Sequence, residues 1–105
     1  MNIYYHMVYN SNACEVDISG NLYAYGAIRE MVLWRLPKKV TDKPHGLKYR
    51  LYYGLGDGTC VVRYDNETPK GDHKHIGSQE KPYKFKNVET LVLDFLMDVK
   101  RAREK

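Results

Sequence analysis

The stretch Leu47-Lys48-Tyr49-Arg50-Leu51-Tyr52-Tyr53 decides the fold, together with the two segments that follow it, Gly54-Leu55-Gly56-Asp57-Gly58 and Thr59-Cys60-Val61-Val62-Arg63-Tyr64. Apolar and polar side chains alternate along the first segment, which is the pattern of a strand with one buried face. The glycine-rich segment contains an Asp-Gly pair, which favours a tight reversal between two strands. We therefore predict a β-hairpin over residues 47–64.

Upstream of the hairpin, residues 27–36 match both a strand and a helix pattern and end at Pro37. We favour a strand, because Val and Trp suit a pleated surface and no good helix N-cap precedes Ala27. Residues 14–18 alternate apolar with acidic side chains and predict another strand. Residues 3–9 favour β structure without a clean alternation and are a weaker strand candidate.

The C-terminal part predicts one long helix after a short extended segment at residues 82–85. Asn87 is a good N-cap, and Glu89 lies in the first turn, near the positive end of the helix dipole. Apolar residues then recur at steps of three and four: Val88, Leu91, Val92, Phe95, Val99 and Ala102. Further apolar residues widen this stripe, so the helix either lies deep in its own core or also covers a partner. The sequence predicts an α+β fold, an antiparallel sheet of about four strands with one long C-terminal helix packed on a face.

Length and composition predict a single domain over residues 1–105, since 43% of the residues are apolar and 29% are charged. No apolar run approaches the roughly 18 residues of a membrane span, and the N-terminus lacks the pattern of a secretory signal. We therefore expect a cytoplasmic protein with no membrane partner. Cys14 and Cys60 are expected to be reduced thiols, although pairing across neighbouring strands stays open.

The net charge of +4 is unevenly spread along the chain. Residues 1–37 carry two basic and three acidic side chains, whereas residues 38–105 carry 15 basic and 10 acidic ones. A basic excess in one half of the chain suits a polyanionic partner, most simply a nucleic acid. A surface charge that only maintains solubility is the alternative.

The run from Arg63 to Gly77 combines two imidazoles, three carboxylates and three basic side chains. Turn geometry explains Gly, Asn, Asp and Pro, but it does not require His-x-His flanked by Asp and Lys. RNA cleavage by its own 2′-hydroxyl needs a base, an acid and cations for the phosphate. We predict that His73 and His75 transfer protons and that Asp65 or Asp72 orients an imidazole. Cations available for the phosphate are Lys70, Lys74, Arg50 and Arg63.

Two other interpretations of this run remain open. A metal could bind His73 and His75 with Asp65 or Asp72, but nearby lysines oppose it and a third strong ligand at a familiar spacing is missing. In a purely structural interpretation, Gly71 adopts a backbone conformation closed to other residues and the histidines bond to neighbouring backbone. We expect metal-independent chemistry with no cofactor.

The order of these motifs resembles the TumE-like family of prokaryotic toxin–antitoxin proteins over about residues 28–100. The motifs that carry the resemblance are Trp34-Arg35-Leu36-Pro37, Pro44-His45-Gly46-Leu47-Lys48-Tyr49-Arg50, Tyr64-Asp65-Asn66-Glu67, Lys70-Gly71-Asp72-His73-x-His75-Ile76-Gly77 and Glu80-x-Pro82-Tyr83-x-Phe85. The family pattern is matched at Arg50, Asp65, Asn66, Lys70, Gly71, Asp72, His73, His75 and Tyr83. The resemblance implies a small toxin encoded beside a DNA-binding antitoxin.

From the resemblance and the residues together we expect the toxin of a type II toxin–antitoxin system, acting on RNA as a small metal-independent ribonuclease. The alternative is a non-catalytic module that binds nucleic acid or protein. Expected partners are a cognate helix-turn-helix antitoxin and RNA, and a homodimer stays open. The predicted catalytic residues are His73, His75, Asp65, Asp72 and Lys70. The predicted RNA contacts are Arg50, Arg63, Lys74, Asn66 and Tyr83. Of these, Tyr83 is expected to stack on a base.

Overall fold

The computed structural model describes residues 2–10, 26–38 and 43–104. They form a six-stranded antiparallel sheet in which every strand pairs with its neighbours in the chain, in the order β1 to β6, followed by one helix. The elements are β1 (Asn2–Asn10), β2 (Ile28–Arg35), β3 (Leu47–Gly54), β4 (Cys60–Asp65), β5 (His73–Ile76), β6 (Gln79–Pro82) and α1 (Val88–Arg103). The predicted α+β class is confirmed, with six strands where the sequence suggested about four.

The predicted hairpin is β3 and β4, and residues 28–35 form a strand, as favoured over a helix. The weaker candidate near the N-terminus is a complete edge strand, β1. The strand predicted at residues 14–18, and with it Cys14, lies outside the described residues. Cys60 is a free thiol.

The chain after β4 differs most from the sequence prediction. We expected a loop as far as residue 77 and an extended segment at 82–85, but a second hairpin, β5 and β6, occupies residues 73–82. Apart from Ile76, its strands contain His, Lys, Gln, Glu and Pro rather than the β-branched and aromatic residues that normally mark a strand. The pairing of β5 with β4 supplies the β structure that local sequence does not encode.

The helix α1 begins and packs as predicted. Asn87 Oδ1 accepts a hydrogen bond from the Thr90 backbone N–H at 2.7 Å, which caps the N-terminus. Leu91, Phe95 and Val99 are buried against the sheet, mainly against β4. Leu93 stays 57% exposed, so the widened apolar stripe is only partly covered within the described chain. No helix in the described ranges is long and apolar enough to span a membrane.

The sheet has two faces of different composition. The helix face is covered by α1 and is apolar; its buried sheet residues are Met31, Leu33, Tyr49, Leu51, Tyr53, Val62 and Tyr64. The opposite face, called the open face below, carries the alternate residues of the same strands. In register across it, Arg50 pairs with Asp65, Asp65 with His73, Arg63 with His75, and His75 with Glu80. Antiparallel pairing therefore concentrates the charged residues of the sequence motif on one surface.

Candidate active site

A continuous series of polar contacts crosses the open face between β5 and β4. The Gly71 carbonyl lies 2.7 Å from His73 Nδ1, and His73 Nε2 lies 2.8 Å from Asp65 Oδ1. Asp65 Oδ2 forms an ion pair with Arg63 Nε at 3.0 Å, and Arg63 Nη2 lies 2.9 Å from His75 Nε2. Because Asp65 faces His73 and Arg63 faces His75 in the strand register, the pairing itself assembles this series.

His73 is the buried member of the series, with only 5% of its surface exposed. Both of its ring nitrogens lie within hydrogen-bond distance of an oxygen atom, one of the Gly71 carbonyl and one of the Asp65 carboxylate. Gly71 adopts a φ of +71°, which turns its carbonyl toward the ring and is unfavourable for other residues. The ring is thus placed to fix the Asp65 carboxylate and has no free nitrogen to exchange a proton with a ligand.

His75 is the accessible imidazole of the pair. Its Nε2 accepts from the Arg63 guanidinium, because a guanidinium can only donate. The ring is therefore neutral, and burial together with the Arg63 charge lowers the pKa of His75 below its usual 6.5. A neutral imidazole near pH 7 is the form that can act as a general base.

Glu80 is a second carboxylate at the site, beside Asp65. The sequence alone did not indicate a role for it. Its Oε1 lies 2.8 Å from Lys70 Nζ and 3.8 Å from Nε2 of both His73 and His75. The Lys70 hydrogen bond lowers the pKa of Glu80, which keeps the carboxylate ionised. Its position opposite His75 follows from the β5–β6 register, so only a prediction of that hairpin would have found it.

Lys70 and Arg50 flank the series on opposite sides. Lys70 helps to line a shallow cleft of about 300 Å³ that also includes Asp72, His73 and Glu80. Arg50 lies on β3, beside Asp65 in the register, and its Nη1 bonds to Glu30 Oε1 at 3.0 Å. The structure thus brings six of the predicted site residues to the open face or its rim: Arg50, Arg63, Asp65, Lys70, His73 and His75.

Asn66 and Asp72 make their contacts beneath the open face. Asn66 is fully buried; its Oδ1 accepts from the Tyr49 N–H at 3.0 Å and its Nδ2 donates to the Leu47 carbonyl at 2.8 Å. Asp72 accepts from the Tyr49 hydroxyl at 2.9 Å and lies 3.1 Å from His45 Nε2. Burial and the Asp72 carboxylate raise the pKa of Tyr49, so its phenol stays a hydrogen-bond donor. Both residues bind the chain after β4 to the start of β3.

Lys74 and Tyr83 lie on the helix side of the sheet. Lys74 Nζ contacts Asp98 Oδ2 of α1 at 3.2 Å, and the Tyr64 hydroxyl donates to the same carboxylate. The Tyr83 hydroxyl donates to Asp94 Oδ2 at 2.7 Å. Burial raises the pKa of Tyr83, and the hydrogen bond to Asp94 raises it further. These contacts attach the helix to the sheet. They occupy the Lys74 ammonium and the Tyr83 hydroxyl, on two residues that the sequence had assigned to RNA binding.

One set of residues on the open face has the spacing of a metal site. Asp65, His73 and His75 offer ligand atoms that all lie within 4.8 Å of one another. Two imidazoles and a carboxylate are a donor set that zinc or ferrous iron accepts. The Arg63 guanidinium already contacts the Asp65 and His75 members of this set. A metal would have to displace that cation, so the donor set fits an arginine better than a metal.

Comparison with known proteins gives one match. A family model described as Toxin TumE matches residues 4–103, which is nearly the whole chain. No curated protein and no solved structure matches the chain.

Proposed function

The chain belongs to the TumE toxin family, and from this premise we propose that it is a metal-independent ribonuclease, the toxin of a type II toxin–antitoxin system. The observation that carries the proposal is the series Gly71–His73–Asp65–Arg63–His75, which ends at an accessible neutral imidazole beside a guanidinium. A base adjacent to a phosphate-binding cation is what cleavage of RNA by its own 2′-hydroxyl requires.

In the proposed reaction, His75 Nε2 takes the proton of the 2′-hydroxyl. The 2′-oxygen attacks the neighbouring phosphorus, and the bond from phosphorus to the 5′-oxygen breaks. The products are a 2′,3′-cyclic phosphate and a 5′-hydroxyl. Arg63 stabilises the charge that develops on the phosphoryl oxygens, since a guanidinium pairs well with phosphate. Lys70, exposed at the rim of the cleft, supplies the proton to the leaving oxygen.

Substrate binding would also release the base. Without substrate, the lone pair of His75 Nε2 is occupied by Arg63 Nη2. A phosphate anion is a stronger acceptor for a guanidinium than a neutral imidazole is, because the hydrogen bond is then assisted by charge at both ends. The arriving phosphate therefore draws Arg63 away from His75 and frees Nε2 for the 2′-hydroxyl. His73 takes no proton in this scheme; it holds Asp65, which in turn aligns Arg63.

Cleavage of a short RNA by the purified protein tests the proposal. We expect scission in the presence of excess EDTA, with a 2′,3′-cyclic phosphate at the new end, and no scission at a position that carries a 2′-deoxy sugar. Loss of activity on exhaustive chelation, restored by added metal, would identify a metal-dependent phosphodiesterase. Binding of RNA without any scission would instead support the non-catalytic binding module.

Membership of a toxin family implies an antitoxin as partner. We propose that this antitoxin is a helix-turn-helix protein and that the toxin acts on RNA in the cytoplasm. Co-expression with the product of the adjacent gene should restore growth of cells that the toxin arrests, and the two proteins should co-purify. Gel filtration of the toxin alone decides whether it forms the homodimer that the sequence left open.

A further inference from the structure

Two aromatic side chains lie on the open face, beside the acid–base residues. Trp34 is on β2 and Tyr52 is on β3, where Tyr52 is directly opposite Arg63 in the register. Both rings are partly exposed. Within the described ranges, the one helix that packs on the sheet covers the other face. Packing under the described helix therefore does not explain these two aromatic side chains.

Each of these rings is paired with a cation. Lys48 Nζ lies 5.5 Å from the centroid of the Trp34 ring, and Arg50 Cζ lies 5.0 Å from that of Tyr52. Exposed carboxylates also contact these cations, since Glu67 lies 3.3 Å from Lys48 and Glu30 lies 3.0 Å from Arg50. Exposed ion pairs of this kind are worth about 0–1 kcal/mol, so a phosphate can replace the carboxylate.

The backbone allows the Tyr52 ring to lie along the strand. Gly54 is two residues further on and on the same face, and a Cβ at Gly54 would collide with the Tyr52 hydroxyl oxygen. Any side chain at residue 54 would therefore push the ring out of this position. Because Gly54 has no side chain, the Tyr52 ring can lie against the strand backbone. Its outer face then forms a flat surface beside Arg50.

We infer that the open face binds single-stranded RNA, with one base stacked on Tyr52 and Arg50 and a second base on Trp34 beside Lys48. Aromatic rings and guanidinium planes stack on bases whose faces are unpaired, whereas a double helix hides the faces of its bases. Neighbouring strands are roughly 4.8 Å apart, so Tyr52 on β3 lies about two spacings from His75 on β5. A strand of RNA held on both rings would extend toward Arg63 and His75. The inference names the substrate class for the proposed function and rests on it.

Fluorescence anisotropy tests the inference on the full chain with His75→Ala, which keeps the RNA intact. The probes are a labelled single-stranded oligoribonucleotide and the same sequence annealed to its complement. We expect the single strand to bind at least about tenfold more tightly, and Tyr52→Ala to weaken its binding by about 5- to 150-fold, which is the loss of one stacked base. Tyr52→Phe should bind normally, and so should Tyr83→Phe, whose ring lies on the helix side.

Tyr52→Leu separates stacking from folding, because it keeps an apolar side chain without a ring face. It should melt near the parent temperature and still lose affinity. Equal binding of single strand and duplex, or unchanged affinity in Tyr52→Leu, would overturn the inference. If the wild type cleaves RNA while these variants bind normally, the inference fails and the ribonuclease proposal stands. If the wild type cleaves nothing but binds single strands through Tyr52, the ribonuclease proposal fails and the inference stands.

Discussion

Residues that are neighbours in the sequence on β4 and β5 have different surroundings on the two faces of the sheet. On the open face, Arg63 contacts both Asp65 and His75, and the Arg63 and His75 side chains are partly exposed. On the helix face, Tyr64 and Lys74 converge on the Asp98 carboxylate of α1. The side chains of a strand alternate in direction, so a single run of charged residues divides into two groups.

The polar contacts on the two faces of the sheet have different roles. The contacts of the helix face join α1 to the sheet, and breaking them should cost stability. The contacts of the open face join groups that a phosphate could rearrange, and breaking them should cost activity. Paired substitutions at adjacent positions test this division.

The largest effect is expected from His75→Ala, compared with Lys74→Ala next to it in the chain. Loss of a general base should lower the rate of RNA cleavage by about 10²- to 10⁴-fold without lowering the melting temperature. Lys74→Ala should lower the melting temperature and leave the rate unchanged, since its contact is with the helix. Single-turnover cleavage and thermal melts by circular dichroism measure both. A rate loss in Lys74→Ala equal to that in His75→Ala would contradict the division.

The next effect concerns stability and follows from Asn66→Ala. The Tyr49 N–H and the Leu47 carbonyl would both lose a buried partner. An unsatisfied buried group costs about 1–3 kcal/mol, so we expect a loss of about 2–4 kcal/mol in the free energy of unfolding. Urea denaturation measures it. Glu67→Ala, at the exposed neighbour, is the control and should change stability by no more than about 0.5 kcal/mol; similar losses in both variants would show that Asn66 has no special role.

The pH dependence of cleavage should follow the neutral form of His75. Burial and Arg63 lower the pKa of His75 in the free enzyme below its usual 6.5, so kcat/KM, which reports the free enzyme, should reach its plateau by about pH 7.5. Below the pKa it should fall, by about tenfold per pH unit, as the ring takes up a proton. Replacing Arg63 by Met should move the midpoint of the pH–rate profile to higher pH, because the Arg63 charge is one of the causes that lower the pKa of His75. A rate that instead increases as the pH falls from 6.5 would exclude His75 as the base.

The smallest effect is expected from Lys70→Ala. An ammonium is a weak acid at neutral pH, so its loss should slow cleavage only about tenfold or less. A nucleoside 3′-(4-nitrophenyl phosphate) has a leaving group that needs no proton, and on this substrate the variant should match the wild type. Lys81→Ala on β6 is the control for general surface charge. An equal defect on both substrates would assign Lys70 to phosphate binding rather than to the leaving oxygen.

The parts of the fold with strong periodicity were predictable from sequence. The alternation at residues 47–53 identifies β3, and the apolar stripe after Asn87 identifies α1, because each pattern is set by one buried face. The β5–β6 hairpin was not predictable, since residues 73–82 lack the apolar alternation that marks a half-buried strand. Its stability comes from pairing with β4, which no periodicity within residues 73–82 reveals.

The candidate site was predictable in composition but not in its division between faces. His-x-His indicated that His73 and His75 act together with Asp65 or Asp72, and the structure places Asp65 beside His73 while Asp72 bonds to His45 and Tyr49. Whether Lys74 or Asn66 also belongs to the site depends on where β4 ends and β5 begins, because these positions decide which face each side chain lies on. Glu80 depended on the register of a hairpin that the sequence did not reveal.

The strand order has a consequence for how quickly the site forms. The strand pairings that assemble the site, β4 with β5 and β5 with β6, stay within one segment of the chain, and their most widely separated pair is Val62 with Ile76. A low mean sequence separation of contacts favours fast folding. The acid–base residues all lie between Arg63 and Glu80, within consecutive hairpins that are synthesised before the helix. The proposed catalytic residues are thus encoded by one short segment, and the helix that follows contributes stability but none of these residues.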